Sequence, residues 1–561
     1  MRLELDDARR LTGPNLLWDR PGAILDVFIG DIDKNTVVTI WQKWVAKLLT
    51  EFGWQQQTTY RLHSEGANLA ISAPMDGLYC ACDLAELAWY CCVAELTSQA
   101  LPNWQQRLAE LQVELTEERN PALIALLGEA QKHQVSCIVD DDEVSLGMGQ
   151  SAQTWPAREL PNLAKIAWQQ YRDIPRVYIT GTNGKSTSVR LASSIANAAG
   201  YVSGVTSTDF IRVGDNIIDK GDYSGPGGAR MLLRDTRTEM AFLEVARGGL
   251  LRRGIPIDTV DAALITNVAS DHLGQYGINT VEELAEVKFM VAKGLSSTGT
   301  LVLNADNPLS VAQAAKLDKK ICWFSTNEFN PMIQAQLTSG SAAVFIRGKS
   351  IIYTADNQQE IIAEFSEVPM TLNGAAEHNV QNALGVVGLC KALNMPTTTI
   401  QKGLKAFGSN AEDNPGRGNI YNIKGVKVLV DFAHNEHSMR AVVNTIKQLP
   451  AKHRLVIFSH AGDRSDSEIK NLTAAVTELD ASLYVITEIE HYLRGREIGE
   501  IPQIVNAYMQ QKLIPSDKIK HASNPLQGAK MAMQAAKSGD VVLLFVLADR
   551  EQVHQYLQEI S

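Results

Sequence analysis

The sequence predicts an α/β protein in three parts. These are a small α+β N-terminal domain with a linker (residues 1–165), a central domain with a mostly parallel sheet and a phosphate-binding loop (166–408), and a Rossmann-like domain (409–561). Three observations predict it. A chain of 561 residues exceeds what one hydrophobic core can hold. From about residue 170, short apolar runs alternate with helical segments, the pattern of a parallel sheet covered on both faces. A second alternating series begins near Lys427.

The first part carries the run DLAELAWYCCVAEL (Asp83 to Leu96), whose apolar positions recur at helical spacing. The run PALIALLGEAQKHQ predicts another helix and VSCIVD a strand, and the turn-rich GMGQSAQTWPAREL predicts the linker. Four of the seven cysteines, Cys80, Cys82, Cys91 and Cys92, cluster here. Their spacing fits no zinc pattern, so they read as reduced thiols within a helix.

In the central part RVYITG (Arg176 to Gly181) is an apolar strand leading into TNGKST, and SVRLASSIANAAG is a helix closed by Gly200. The runs MAFLEVA, DAALITNVA, TLVLNAD and KKICWFS supply further strands. KVLVDFA, RLVIFSH, SLYVITE and DVVLLFVLAD form the second series.

With 45% hydrophobic and 20% charged residues, the composition is that of a globular protein. A net charge of −11 argues against nucleic acid or an anionic membrane as the main partner. The start MRLELDDARRLTG has no apolar signal core, and no apolar stretch of about 18 residues occurs, so the cytoplasm is the expected location.

The segment Gly181-Thr182-Asn183-Gly184-Lys185-Ser186-Thr187 stands between a strand and a helix. Amides at a helix start point outward unsatisfied and carry the positive end of the dipole, so they bind anions. The glycines let backbone wrap closely around phosphate, Lys185 reaches the outer phosphates, and Ser186 can ligate Mg²⁺. Phosphoryl transfer needs such a metal, held by hard oxygen ligands and an occasional histidine. Two candidates follow apolar strands: Glu244 ends MAFLE, and His272 follows LITNVASD. Open α/β sheets bind ligands beyond the carboxyl ends of their strands, which would face both residues toward the loop. Arg247 and Arg252, just past Glu244, are candidates for binding an acidic substrate.

The string TGTNGKST resembles the ATP loop of the Mur ligases and folylpolyglutamate synthetases, and further residues of that family follow in order. The resemblance implies a first Mg²⁺ on Glu244 and a second on His272. It makes Lys288, sixteen residues after His272, a candidate for carbamylation by CO₂, its anionic group orienting metal. LNGAAEHNVQNALG resembles the family's adenine segment, with Asn379 against the base and His378 and Asn382 supporting the turn. Arg417 in NPGRGN matches a phosphate contact, and Asp431 matches the aspartate on the ribose hydroxyls. His434 and Asn435 complete the D-[YF]-A-H-N signature and are carried as substrate residues.

From Pro175 onward VTSTDF, GPGGAR, LEVARGGLLRRG, GDRSD, LRGRE and the terminal LAD resemble the Mur-ligase half of cyanophycin synthetases. Those enzymes carry an ATP-grasp ligase between the two regions, where this chain has only Leu146 to Ile174. The resemblance therefore implies one ATP- and Mg²⁺-dependent activity: carboxylate activation as an acyl phosphate, then amide formation. The implied substrates are β-Asp-Arg dipeptides, or an amino acid joined to an acidic side chain, with a polymer as the larger acceptor. Three alternatives stand beside this: a different amino acid added to a small acid, a P-loop NTPase without ligation, and an inactive scaffold. The N-terminal domain is open to polymer binding, partner binding or homo-oligomer formation.

Overall fold

The computed structural model describes residues 2–561. The chain divides into two compact units. The first comprises residues 1–324 with 341–343 and 385–396; the second comprises 325–340, 344–384 and 397–561.

The first unit begins with a four-stranded antiparallel sheet in the order Leu3–Leu11, Gly22–Ile29, Gly66–Ser72, Thr58–His63. Helices Lys34–Phe52 and Leu78–Leu96 share its core, where Trp41 and Trp89 are fully buried. The four clustered cysteines lie on or within the second helix as free thiols, and burial pushes Cys82 and Cys92 up to about 12. That matches inert, reduced side chains. The stretch expected to be linker contains a strand: Gln153–Pro156 pairs antiparallel with Glu143–Leu146. Val144 is buried opposite Trp155, which packs with Leu163 and Tyr171 around the helix Pro121–Lys132, a tertiary reward that turn-rich composition conceals.

Its larger sheet runs in the order Asn216–Lys220, Phe210–Val213, Ser203–Thr206, Met240–Glu244, Arg176–Thr180, Val260–Ile265, Leu295–Asn304, Lys320–Ser325. The first two strands are antiparallel additions, and the rest pair in parallel. Every residue of Arg176–Thr180 and Met240–Glu244 is buried, so both faces are covered and the strands read as apolar runs with polar residues only at their ends. The helix after the phosphate loop spans Lys185–Ala198, and Gly200 beyond it takes φ +91°.

The second unit holds a six-stranded sheet in the order Arg417–Ile423, Val426–Asp431, Val541–Phe545, Arg454–Phe458, Leu483–Thr487, Ile519–Ala522. Its first pair is antiparallel and the rest parallel. Successive strand residues alternate between two cores. Leu429, Val456 and Leu543 pack with the helices Glu436–Gln448, Asp466–Thr477 and Glu500–Gln511; Val428, Ile457 and Leu544 pack with Pro525–Ala535 and Arg550–Ile560. That alternation is the doubly wound arrangement expected for this part. Among the described residues no helix is long and apolar enough to cross a membrane.

Candidate active site

Three neighbouring parallel strands end together in the first unit. Glu244 closes one, Thr180 leads into the phosphate loop from the middle one, and Ile265 leads into Thr266 on the third; register sets Glu244 opposite Ile179 and Ile265 opposite Thr180. The loop is held by its neighbour. Thr266 Oγ1 donates to Asn183 O at 2.6 Å, Asn267 Oδ1 accepts from Asn183 N at 3.0 Å, and Thr182 Oγ1 donates to Ala269 O at 3.0 Å. Gly181, at φ +146°, passes so close that a Cβ would lie 1.9 Å from Thr266 Oγ1. Gly184 (φ +86°) is the N-cap of the helix Lys185–Ala198. Preorganisation comes from these contacts, which free the helix start to face an anion. Thr266 and Asn267 were not among the residues singled out from sequence, although both sit at the strand end that points to His272.

Lys185 folds back over the loop, its Nζ donating to the carbonyls of Gly181 and Thr182 at 3.1 and 3.0 Å. Lys288, on the helix Val281–Phe289, is 4% exposed and donates to the same Gly181 carbonyl at 2.9 Å. Burial, reinforced by the charges of Lys185 and Arg247, holds its amine well below the ordinary lysine range; Asp271 pulls the other way. Ser186 Oγ lies 3.3 Å from Thr208 Oγ1. Next to Thr208, Asp209 pairs with the buried Arg190 of the loop's own helix, which ties VTSTDF to the phosphate loop.

Glu244 is 2% exposed. A carboxyl group held this far from water is stabilised in its charged form by a nearby cation, and the hard donors here, Ser186, Glu244, Asp271 and His272, suit Mg²⁺. His272 adopts φ +49°, and its Nε2 lies 3.8 Å from Asp271 Oδ1. Arg247 and Arg252, on the short helix after Glu244, reach the loop beyond His272, donating to Gln275 Oε1 at 2.6 Å and Tyr276 Oη at 2.8 Å. Burial lowers the pKa of Arg247.

In the second unit Arg417 and Asp431 are register partners on adjacent strands. Ala433 N donates to Asp431 Oδ1 at 2.7 Å. Burial nevertheless pushes this carboxyl up to about 6, against the backbone N–H of Ala433 and the charge of Arg417. Arg417 and Arg550 both lie over the Phe432 ring, 5.3 and 4.8 Å from its centre. Asn379 is buried: its Nδ2 donates to Met370 O at 3.0 Å and its Oδ1 accepts from Asn382 at 3.3 Å. Burial pushes His378 down to about 4. His434 turns its Nδ1 to Phe432 O at 3.2 Å. Asn435 is the N-cap of the helix Glu436–Gln448, accepting from Ser438 N at 2.9 Å, which gives it a structural task.

Residues 179–390 match the Mur ligase middle domain, and residues 416–545 match the Mur ligase glutamate ligase domain. A cyanophycin synthetase from Synechocystis sp. is 37% identical over 333 residues, covering 59% of this chain and 38% of the relative. One from Crocosphaera subtropica is 35% identical over 378 residues, covering 66% and 42%. The UDP-N-acetylmuramoyl-L-alanyl-D-glutamate–2,6-diaminopimelate ligase of Geobacter sulfurreducens is 24% identical, covering 69% of this chain and 76% of the relative. This chain thus spans about two-fifths of the length of the cyanophycin synthetases it matches. Among solved structures, E. coli FolC in complex with DHPP and ADP shares the fold with a TM-score of 0.52 at 19% identity, covering 69% of this chain and 88% of that one.

Proposed function

Residues 179–390 and 416–545 belong to the Mur ligase family, as its middle and glutamate ligase domains, and from that premise we propose that this chain is an ATP-dependent ligase joining a carboxylate to an amine. The observation that carries the reading is the meeting of Lys185 and Lys288 on one carbonyl of the phosphate loop, beside the strand that ends in Glu244. A P-loop hydrolase has use for Lys185, but a second lysine buried there has no evident purpose in it.

The roles follow from the environments. The loop amides and Lys185 bind the terminal phosphates of ATP and hold the γ-phosphorus for attack by a substrate carboxylate. Ser186, Glu244 and His272 would hold Mg²⁺, whose charge would offset that of those phosphates. Asp431 suits the ribose hydroxyls, Arg417 a phosphate, and Asn379 the adenine edge. Attack by the amine on the resulting acyl phosphate gives the amide, with ADP and phosphate released. Arg247 binds the acidic substrate. With its amine held well below the ordinary lysine range by burial, Lys288 is suited to take up CO₂, and the carbamate anion would then lie among the charges of Lys185 and Arg247. The chain is organised in three domains, 1–165, 166–408 and 409–561, and acts in the cytoplasm. Its substrate is β-Asp-Arg dipeptide, or an acidic side chain that receives an amino acid. A different amino acid on a small acidic acceptor is the second reading.

The test is a screen of amino acids and dipeptides for stimulated ADP release, with products identified by mass spectrometry. Amide in proportion to ADP supports the proposal; ADP release with no amide from any pair overturns it in favour of a hydrolase.

A further inference from the structure

The N-terminal sheet reaches into the segment that lies between His272 and Lys288. Arg61, on the strand Thr58–His63, reaches out of its sheet to two partners: one nitrogen donates to Gly277 O at 2.9 Å, and also to Asn68 Oδ1 within the sheet at 3.4 Å, and the other donates to Glu283 Oε1 at 2.6 Å. Glu283 is the third residue of the helix that carries Lys288. Its second oxygen accepts the N–H groups of Asn279 and Thr280 at 2.6 and 3.0 Å, closing a capping box with Thr280. One carboxylate therefore fixes both the start of the helix and its attachment to the N-terminal sheet.

The turn beside Arg61 completes the seat. Asn279 Nδ2 donates to Ser64 Oγ at 2.7 Å, and Lys34 steadies that turn through the carbonyls of His63 and Ser64 at 2.6 Å each. Gly277, at φ +68°, faces the His63 ring so closely that a Cβ would lie 2.5 Å from Cδ2. Tyr276 adopts φ +55°, with Arg9 lying 4.8 Å over its ring. Arg9 is itself buried in an ion pair with Asp26 on the neighbouring strand. Left-handed residues at 272, 274, 276 and 277 make a conformation that the loop would not hold unaided.

We propose that Arg61 is a positioning residue: acting through Gly277 and Glu283, it sets from the N-terminal sheet both the loop that carries His272 and the helix that carries Lys288. The roles of His272 and Lys288 rest on the ligase reading above. A helix is rigid over five residues, about 7.5 Å of rise, so placing Glu283 places Lys288. The N-terminal domain is then part of what makes the phosphate site competent.

The test compares the full chain with Arg61→Ala, Arg61→Lys and Arg234→Ala. Arg234 serves as control because it also joins the N-terminal region to the central sheet, donating to Ser145 Oγ at 2.6 Å, yet touches neither the His272 loop nor the Lys288 helix. The readouts are hydrogen exchange over residues 274–289 and the Mg²⁺ concentration that half-saturates ADP binding. Arg61→Ala should speed exchange at 277–283 about tenfold or more and raise the Mg²⁺ requirement about tenfold. ADP binding without Mg²⁺ should stay unchanged. Arg61→Lys, able to serve one partner at a time, should fall between, and Arg234→Ala should move neither readout. If Arg61→Ala does not fold, Glu283→Gln keeps the shape and should raise the Mg²⁺ requirement in the same direction. An unchanged Mg²⁺ requirement in these variants, or an equal change in Arg234→Ala, overturns the proposal. Neither readout uses amide formation, so loss of the ligase reading would register separately.

Discussion

Lys288 and Lys185 place their side-chain nitrogens 2.9 and 3.1 Å from a single acceptor, the carbonyl oxygen of Gly181. Burial first, and then the neighbouring charge of Lys185, holds the Lys288 amine well below the ordinary lysine range. In the proposed reaction Lys185 serves the phosphates and Lys288 takes up CO₂.

Replacing Lys288 with Met keeps most of its volume and removes the amine. Ligase turnover should fall by on the order of 10- to 100-fold, with ADP binding little changed. Because folding depresses this amine, the unfolded chain binds more protons up to about 10.5, and stability rises with pH through that window. Thermal melts of Lys288→Met across that range should show a flatter rise than the parent. Depleting CO₂ should slow the parent, and bicarbonate should restore it.

Gly181→Ala sets a Cβ against Thr266 Oγ1 where φ is +146°. The loop must shift, costing on the order of 1–3 kcal/mol, and nucleotide binding should be lost before folding is. Calorimetry with ADP checks the first and denaturant unfolding the second. The pair Gly181→Ala with Thr266→Ala should recover part of the binding.

Glu244→Gln preserves shape while removing charge from a site only 2% exposed. ADP release should drop at least about 100-fold at saturating ATP, and the Mg²⁺ requirement should rise. Metal-free ADP binding, measured by calorimetry, should be unaffected.

Asp431 titrates near 6 in the folded chain against 3.8 otherwise. The folded state then holds the proton more tightly, so this group's contribution to stability is present below 3.8 and is lost as pH rises through about 6. In the proposed role Asp431 accepts the ribose hydroxyls, and the ionised carboxylate is the stronger acceptor, so nucleotide affinity should climb over the same interval. Asp431→Asn should flatten both profiles, and ADP titrations at a series of pH values check this.

Much of this was legible because parallel strands buried on both faces are apolar along most of their length. Arg176–Thr180 and Met240–Glu244 announce themselves as such, and a loop bearing Gly181, Gly184 and Lys185 between strand and helix has few other uses. The supports of the loop were not legible. Thr266 and Asn267 are ordinary polar residues until the fold brings them against Asn183, more than eighty positions earlier. Arg190 is fully buried on Asp209, a contact that no spacing in the sequence signals. Arg61 and Gly277 are 216 positions apart, and no periodicity links them. Asn435 fitted a signature whose local task, a helix cap, is visible only once the helix start is placed.

In the proposed reaction a substrate carboxylate takes the γ-phosphate of ATP before the amine attacks. Supplying that carboxylate labelled with ¹⁸O and analysing the released phosphate tests it directly. One labelled oxygen should pass into phosphate for each amide formed. Phosphate without label, released while ADP accumulates, would mean that water attacks ATP, and would contradict it.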